Sequence, residues 1–111
     1  MTAVEAGPRF QPDTISAKAG TAVFFLENVP GTLFSPSHNM LIGSCGVQFY
    51  GDGSLRSGQV LAGTPNIGPK EAVTFTVNDL TPGRYPFWCS VEAGNGNHAA
   101  FGMVGELTVT P

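Results

Sequence analysis

The sequence is poor in charge and contains no long apolar run. Charged residues make up 12% of its 111 positions, and the five cations are scattered, at Arg9, Lys18, Arg56, Lys70 and Arg84. With a formal net charge of -3 and no basic cluster, the chain lacks the surface expected of a nucleic-acid-binding protein. No apolar run approaches the ~20 residues of a membrane span, and residues 1–10 lack the features of a signal peptide. We therefore predict a soluble chain whose targeting segment has been removed.

Helical periodicity is missing as well, which favours an all-β fold. The 15 Gly and 9 Pro punctuate short runs that are rich in Val, Phe and Thr. A chain of 111 residues with 41% apolar content fits one domain, residues 1–111, around one core. We predict a two-sheet Greek-key β-sandwich of about seven to eight strands, because a sandwich buries one face of every alternating strand.

Strand positions follow from the alternation of apolar and polar side chains. In Glu71–Val77, three apolar residues share one face, whereas Thr21–Leu26 is apolar on both faces and predicts a strand covered on each side. Alternation in Arg84–Cys89 directs Cys89 toward the core and Trp88 away from it. The stretch Gly43–Gly58 is predicted to be a long connection containing one helical turn at most. The remaining predicted strands are 15–18 and 106–110 and, with weaker patterns, 2–6, 38–42 and 59–61.

The last quarter of the chain carries metal-binding side chains at short spacing. Cys89 ends a predicted strand, His98 follows after eight residues, and Met103 follows after four more. Far upstream, His38 stands next to Asn39. Two imidazoles, one thiolate and one thioether are the donors of a blue-copper electron-transfer site, in which His₂Cys forms a plane and Met is a long axial ligand. Soft sulfur donors favour Cu(I) and imidazole suits Cu(II), so such a site reorganises little when the electron moves.

Taken together, these motifs resemble the cupredoxins, the small blue type 1 copper proteins of the plastocyanin and azurin kind. The resemblance implies one copper ion held by His38, Cys89, His98 and Met103. It also implies that Asn39 ties the first ligand loop to Ser90, beside the cysteine. Bonds of that kind hold ligand geometry independently of the metal. The matching segments cover nearly the whole chain and are residues 19–25, 38–39, 61–65, 82–89, 98 and 102–105.

The same resemblance implies a monomeric electron carrier rather than an enzyme. Its partners would be a redox donor and acceptor, such as a cytochrome or a copper oxidase, in transient complexes. With only two histidines, the chain offers no third imidazole for a second copper ion. The family also implies a location outside the cytoplasm, in the periplasm or on the cell surface.

One departure from the family pattern is the loop between Cys89 and His98. Its eight residues, Ser90 to Asn97, exceed the usual spacing in the family. Each doubling of a loop adds only ~0.6 kcal/mol of closure cost, so the ligands can still converge. The longer loop instead alters the surface around His98. The apolar Ala99, Ala100 and Phe101 that follow predict a docking surface for redox partners, and Trp88 is a second candidate, with a packed ring as its alternative.

The cysteines and methionines leave alternatives open. Cys45 is predicted to be a buried free thiol, although a disulfide with Cys89 would make the chain a structural β-sandwich. That pairing leaves the spacing of His98 and Met103 unexplained. Met103 on its own could be core filling, and Met40 is predicted to pack near the site without binding metal. A copper storage or delivery protein would use the same ligands and is the alternative function.

Overall fold

Short strands form the scaffold of the protein in the computed structural model, which describes residues 2–4, 9–29, 37–92 and 96–111. Within these ranges lie eleven strands and one short 3₁₀ helix, His98–Phe101. No α-helix occurs in the described ranges, and no helix there is long and apolar enough to cross a membrane. The strands are β1 (Thr2–Val4), β2 (Arg9–Gln11), β3 (Thr14–Lys18), β4 (Gly20–Val29), β5 (Leu41–Gly43), β6 (Gln48–Phe49), β7 (Leu55–Ser57), β8 (Val60–Gly63), β9 (Ala72–Leu80), β10 (Gly83–Trp88) and β11 (Val104–Thr110).

The strands form two main sheets, and the prediction of an all-β sandwich is confirmed. The first sheet has the order β2-β1-β4-β9, and the second has the order β3-β11-β10-β5-β8. Strands β1 and β4 pair in parallel, as do β3 and β11, while the other pairs are antiparallel. The chain changes from the second sheet to the first at Ala19, between β3 and β4. The described strands outnumber the predicted seven to eight because several contain only two or three residues.

The core between the sheets contains the apolar faces that alternation predicts. From the first sheet, Val77 of β9 is buried, and Val73 and Phe75 pack against the core. From the second sheet, Leu107 and Val109 of β11 are buried on the inner face. In β10, Tyr85 and Phe87 are buried on the same face as Cys89, which follows the strand. Period-two alternation therefore positions Cys89 at the core-facing end of β10.

Strand β4 corrects one prediction, because only one of its faces is covered. Phe24 and Leu26 lie in the core, but Val23 is 66% exposed and Phe25 is 52% exposed. These outward residues pair across the sheet with Thr76 and Thr74, and the first sheet is covered on its inner face alone at this point. The expectation of burial on both faces was wrong because an apolar run does not reveal whether a second layer exists.

The predicted connection Gly43–Gly58 contains a β-hairpin instead of a helical turn. Its strands β6 and β7 pair as a separate two-stranded sheet. Phe49 of β6 packs edge-on against Trp88, with ring centroids 4.9 Å apart. The hairpin therefore covers the outer face of the second sheet beside Cys89, and it was missed because few apolar residues mark its strands.

Candidate metal centre

His38 is held rigidly at the edge of the core. Its N–H donates to the carbonyl of Ile67 at 3.0 Å, and the N–H of Ile67 donates back to the carbonyl of His38 at 2.8 Å. Its side chain is 0% exposed. This isolated antiparallel bridge orients the imidazole before β5 begins.

The other candidate ligands are tied to one another through the backbone. The Cys89 N–H donates to the carbonyl of Met103 at 3.1 Å, and the Ala99 N–H donates to the carbonyl of Cys89 at 3.0 Å. His98 begins the 3₁₀ helix, and its N–H donates to the carbonyl of Val91 at 2.9 Å. His98 therefore lies beside Val91 and the end of β10, although eight residues separate it from Cys89 in the chain.

Three donor atoms converge in a buried triangle. The Nδ1 atoms of His38 and His98 lie 3.1 Å apart, and the Sγ of Cys89 lies 3.4 Å from His98 Nδ1 and 3.9 Å from His38 Nδ1. Ligand atoms that sit ~2.0–2.3 Å from an ion at the centre of a triangle are ~3.5–3.9 Å apart. Only the separation between Cys89 and His38 lies in this range, while the two that involve His98 are shorter by a few tenths of an ångström. A small outward shift of the His98 ring would complete a trigonal His₂Cys triangle, the donor set that suits copper.

Met103 belongs to the same buried region. Its side chain is 0% exposed and lies in the apolar cluster that contains Cys89 and Met40. Its N–H donates to the carbonyl of His98 at 3.0 Å, while its own carbonyl accepts from Cys89. Met103 is thus bonded through its backbone to two of the three converging residues, and its role as a copper ligand remains a proposal.

Burial controls the protonation of the three groups. Desolvation, with a smaller contribution from the nearby His98, lowers the pKa of His38 from 6.5 to about 4. Desolvation also lowers the pKa of His98. It raises the pKa of Cys89, against hydrogen bonds from the backbone of Asn39 and Val91 that lower it. At neutral pH without metal, the site therefore holds two neutral imidazoles ready to bind and one thiol that must lose its proton first.

Asn39 connects the two halves of the site. Its backbone N–H points at the Sγ of Cys89 at 3.5 Å. Its side-chain oxygen accepts from the Ser90 N–H at 2.8 Å, and its Nδ2 donates to the Ser90 hydroxyl at 2.9 Å. The same Nδ2 lies 3.1 Å from the side-chain oxygen of Asn66. The structure thus shows the tie between Asn39 and Ser90 that the resemblance implies, and adds Asn66 to it.

Several supporting polar residues escaped the sequence analysis. The Thr64 hydroxyl accepts from the Met40 N–H at 3.0 Å and donates to the carbonyl of Pro65 at 2.9 Å. Buried Asn28 donates from Nδ2 to the carbonyl of Ile67 at 3.0 Å. These bonds brace Met40, two residues after His38, and Ile67, to which the His38 backbone is bonded. In the sequence, Thr64 and Asn28 are isolated polar residues within or beside apolar strands. That pattern is too common to identify them as supports of the site.

The candidate docking residues differ in exposure. Ala100 is exposed and Ala99 is half-buried, while the side chain of Phe101 lies outside the described residues. His98 retains 4% exposure, against none for His38. Trp88 is only 2% exposed beneath the hairpin, as the packed alternative requires, and offers no surface for a partner.

Cys45 corrects another expectation. It is free and exposed, whereas a buried thiol was predicted, and Cys89 is free as well. Cys45 lies in the turn after β5, which the Val47 N–H closes by donating to the carbonyl of Ser44, and local patterns do not show that this turn stays at the surface. The alternative of a disulfide between the two cysteines is therefore not what the structure contains.

Several solved structures share the fold of this chain. Auracyanin from Roseiflexus castenholzii is 24% identical, with 89% of this chain and 85% of that chain covered and a TM-score of 0.65. Rusticyanin from Thiobacillus ferrooxidans is 23% identical, with coverages of 98% and 73% and a TM-score of 0.72. Auracyanin A from Chloroflexus aurantiacus, described as a "blue" copper protein, is 20% identical, with coverages of 88% and 85% and a TM-score of 0.64.

The family assignment comes from the sequence. No curated protein matches the chain closely enough to count as a relative. One family does match over residues 2–110, and its description is copper binding proteins, plastocyanin/azurin family. This match spans His38, Cys89 and His98, whose donor atoms form the buried triangle. The chain therefore belongs to the plastocyanin/azurin family of copper-binding proteins, and it is an electron-transfer copper protein.

Proposed function

We propose that the protein carries single electrons on one copper ion held by His38, Cys89 and His98, with the thioether of Met103 as a weak fourth ligand. The observation that carries this proposal is the buried convergence of two imidazole nitrogens and one sulfur within 4.8 Å. When bound, copper supplies the Cu(I)/Cu(II) couple. The soft sulfur donors and the imidazoles favour different oxidation states, so their combination suits an ion that alternates between the two.

The protein's own contribution is a dry and prearranged site. His38 is fixed by its bridge to Ile67, and Asn39 holds its own segment against Ser90. His98 and Cys89 are joined through the backbone of Val91 and Ala99. Because these bonds are made between groups of the protein itself, the ligands need little rearrangement when the charge of the site changes.

A carrier is favoured over an enzyme and over a copper store. Members of this family are in general electron carriers, and the two histidines of the chain are both used in one cluster. A storage or delivery protein must release its metal readily, whereas these ligands are buried and braced. A reversible redox couple with copper retained in both states would distinguish the carrier from the store.

The test is titration of the metal-free protein with Cu(II), followed by visible absorption. One equivalent should produce an intense thiolate-to-copper charge-transfer band and release about one proton at neutral pH, since the Cys89 thiol is protonated and both imidazoles are neutral. Cys89→Ser should abolish the band, whereas Cys45→Ser, at the other and exposed cysteine, should retain it. Full colour in Cys89→Ser would refute the ligand assignment.

For partners, we propose transient complexes of the monomer with a redox donor and acceptor, such as a cytochrome or a copper oxidase. The exposed Ala100 and half-buried Ala99 beside His98 support docking at this end of the sandwich, because small apolar side chains let a partner's cofactor approach closely. Family membership supports a location outside the cytoplasm, in the periplasm or on the cell surface. The exposed thiol of Cys45 is the feature that fits such an oxidising compartment least well.

A further inference from the structure

The residue before His98 joins the ligand loop to the hairpin. We infer that the hairpin loop Tyr50–Ser54 positions His98 through Asn97 and so sets how firmly this ligand is held at the metal. The inference rests on the proposed function, since it concerns the same site. Asn97 is a positioning residue, because it acts on the metal through its neighbour.

Asn97 is hydrogen-bonded through both its backbone and its side chain at a buried position, where it is 5% exposed. Its backbone N–H donates to the carbonyl of Asp52 at 2.9 Å, and its Nδ2 donates to the carbonyl of Gly53 at 2.8 Å. Its Oδ1 accepts from the Ala100 N–H at 3.1 Å and so caps the 3₁₀ helix that His98 begins. One side chain thus bonds the hairpin loop and the ligand helix together.

The hairpin loop is itself braced, so it offers a fixed anchor. The Tyr50 N–H donates to the carbonyl of Ser54 at 2.8 Å, and the Gly53 N–H donates to the carbonyl of Tyr50 at 3.0 Å. The carboxylate of Asp52 accepts from the N–H and the hydroxyl of Ser54, at 2.9 Å and 2.6 Å. These bonds hold the carbonyls of Asp52 and Gly53 in the direction that Asn97 needs.

The two loops meet without room for another carbon atom. A Cβ at Gly53 would collide with the side-chain oxygen of Asn97 and would lie 2.8 Å from the Ala100 nitrogen. On the opposite loop, a Cβ at Gly96 would lie 2.9 Å from the carbonyl oxygen of Asp52. Glycine on both sides therefore permits the close approach that the Asn97 bonds require.

The contact between Asn97 and the hairpin loop explains how His98 is held in place although eight residues separate it from Cys89. The end of the loop is tied to the hairpin at Asn97, while the His98 N–H is tied to Val91 beside Cys89. His98 is therefore held from two directions despite its eight-residue tether. Weakening the Asn97 contact should free His98 selectively and leave His38 and its bridge to Ile67 in place.

The first test compares two glycine variants of the copper-loaded protein. Gly53 and Gly46 both have left-handed backbone conformations, with φ of 86° and 79°, but a Cβ at Gly46 has nothing within 4 Å. Both Gly53→Ala and Gly46→Ala therefore carry backbone strain, and only Gly53→Ala disrupts Asn97. We expect transfer of Cu(I) to a chelator to accelerate about tenfold in Gly53→Ala relative to Gly46→Ala, the factor that 1.4 kcal/mol represents.

A second variant tests the same contact independently, in case Gly53→Ala does not fold. Asn97→Asp keeps an acceptor for the Ala100 N–H but replaces the donor to Gly53 with a repelling oxygen. It should accelerate Cu(I) transfer in the same direction and alter the charge-transfer spectrum, while Asn78→Asp, at an exposed position on β9, should do neither.

Amide hydrogen exchange of the metal-free protein gives a readout that needs no copper. Protection of the His98 and Ala100 amides should fall in Gly53→Ala and Asn97→Asp, and it should be unchanged in Gly46→Ala. Unaltered protection and unaltered Cu(I) transfer in both disruptive variants would overturn the inference. The proposed function would survive that result, because the blue band of the wild-type protein tests it separately.

Discussion

Gly43 lies against the ring of Trp88, so closely that a Cβ at position 43 would be 2.6 Å from Cζ3 of the indole. Trp88 directly precedes Cys89, and Phe49 covers its ring from the hairpin. The outer face of the second sheet is therefore packed at the point where the chain enters the metal centre. This packing, rather than exposure to a partner, explains the position of Trp88.

Gly43→Ala should destabilise the protein by overpacking. We expect the free energy of unfolding to fall by about 1–3 kcal/mol, with a red shift of tryptophan fluorescence as the hairpin separates from the ring. Gly51→Ala is the matched control, because a Cβ there has nothing within 4 Å, and it should change stability by less than about 0.5 kcal/mol. Urea unfolding measures both, and equal effects would show that the packing at Trp88 is loose.

Met103→Leu should raise the reduction potential while copper remains bound, because an apolar side chain removes electron density that the thioether supplies. Met103→Gln should lower it. Met40→Leu is the matched control, since Met40 is also fully buried in the same cluster but is predicted not to bind the metal. Voltammetry measures the potentials. If Met103→Leu and Met40→Leu shift the potential equally, Met103 is core filling.

The metal-free protein should lose stability as pH falls from about 6.5 to about 4, the interval between the ordinary and the lowered pKa of His38. Over this interval the unfolded chain binds a proton at His38 and the folded chain does not, so acid favours unfolding. The loss should reach about 3 kcal/mol below pH 4. Urea unfolding of His38→Gln and wild type across this range isolates the effect, and identical pH profiles would contradict it.

Ala100→Lys should slow electron self-exchange about tenfold at low salt, because two like charges would meet when two copies dock at this end. The spectrum and the potential should change little. Ala19→Lys adds the same charge at an exposed position bonded to Thr110, at the opposite end of β11, and should have little effect. Line broadening in NMR measures the rate. If a variant at the exposed Glu92 alters the rate and Ala100→Lys does not, the extended loop is the docking element.

Much of the scaffold could be predicted from local patterns, and the convergence of His38, Cys89 and His98 from the donor types and the resemblance. Alternation placed Val77, Leu107 and Cys89 on core-facing positions because strand geometry has a fixed period. The spacing of Cys89 and His98, together with the resemblance, predicted the donor set. Thiolate and imidazole donors in one site are typical of only a few metal ions, copper among them. The strand inference depends on residues close in sequence, whereas His38, 51 residues before Cys89, joined the set through the resemblance.

The failed or missing predictions depend on contacts between distant segments. The exposure of Val23 and of Cys45 depends on which layers exist above them, and no local pattern reports that. Asn97 stands in a glycine-rich loop, where asparagine ordinarily indicates only a turn. Its role depends on Gly53, 44 residues earlier in the chain.

The parallel pairing of β3 with β11 has a consequence for the order in which the molecule assembles. It joins Ile15 to Leu107 across nearly the full length of the chain, and the metal site joins His38 to Cys89 across 51 residues. Contacts of such long sequence separation form slowly, on a scale of milliseconds to seconds in small β proteins. Of the proposed ligands, Cys89, His98 and Met103 are close in sequence, whereas His38 lies far upstream. Complete coordination must then await closure of the sandwich, so the ion would stabilise the finished fold more than it guides the early steps of folding.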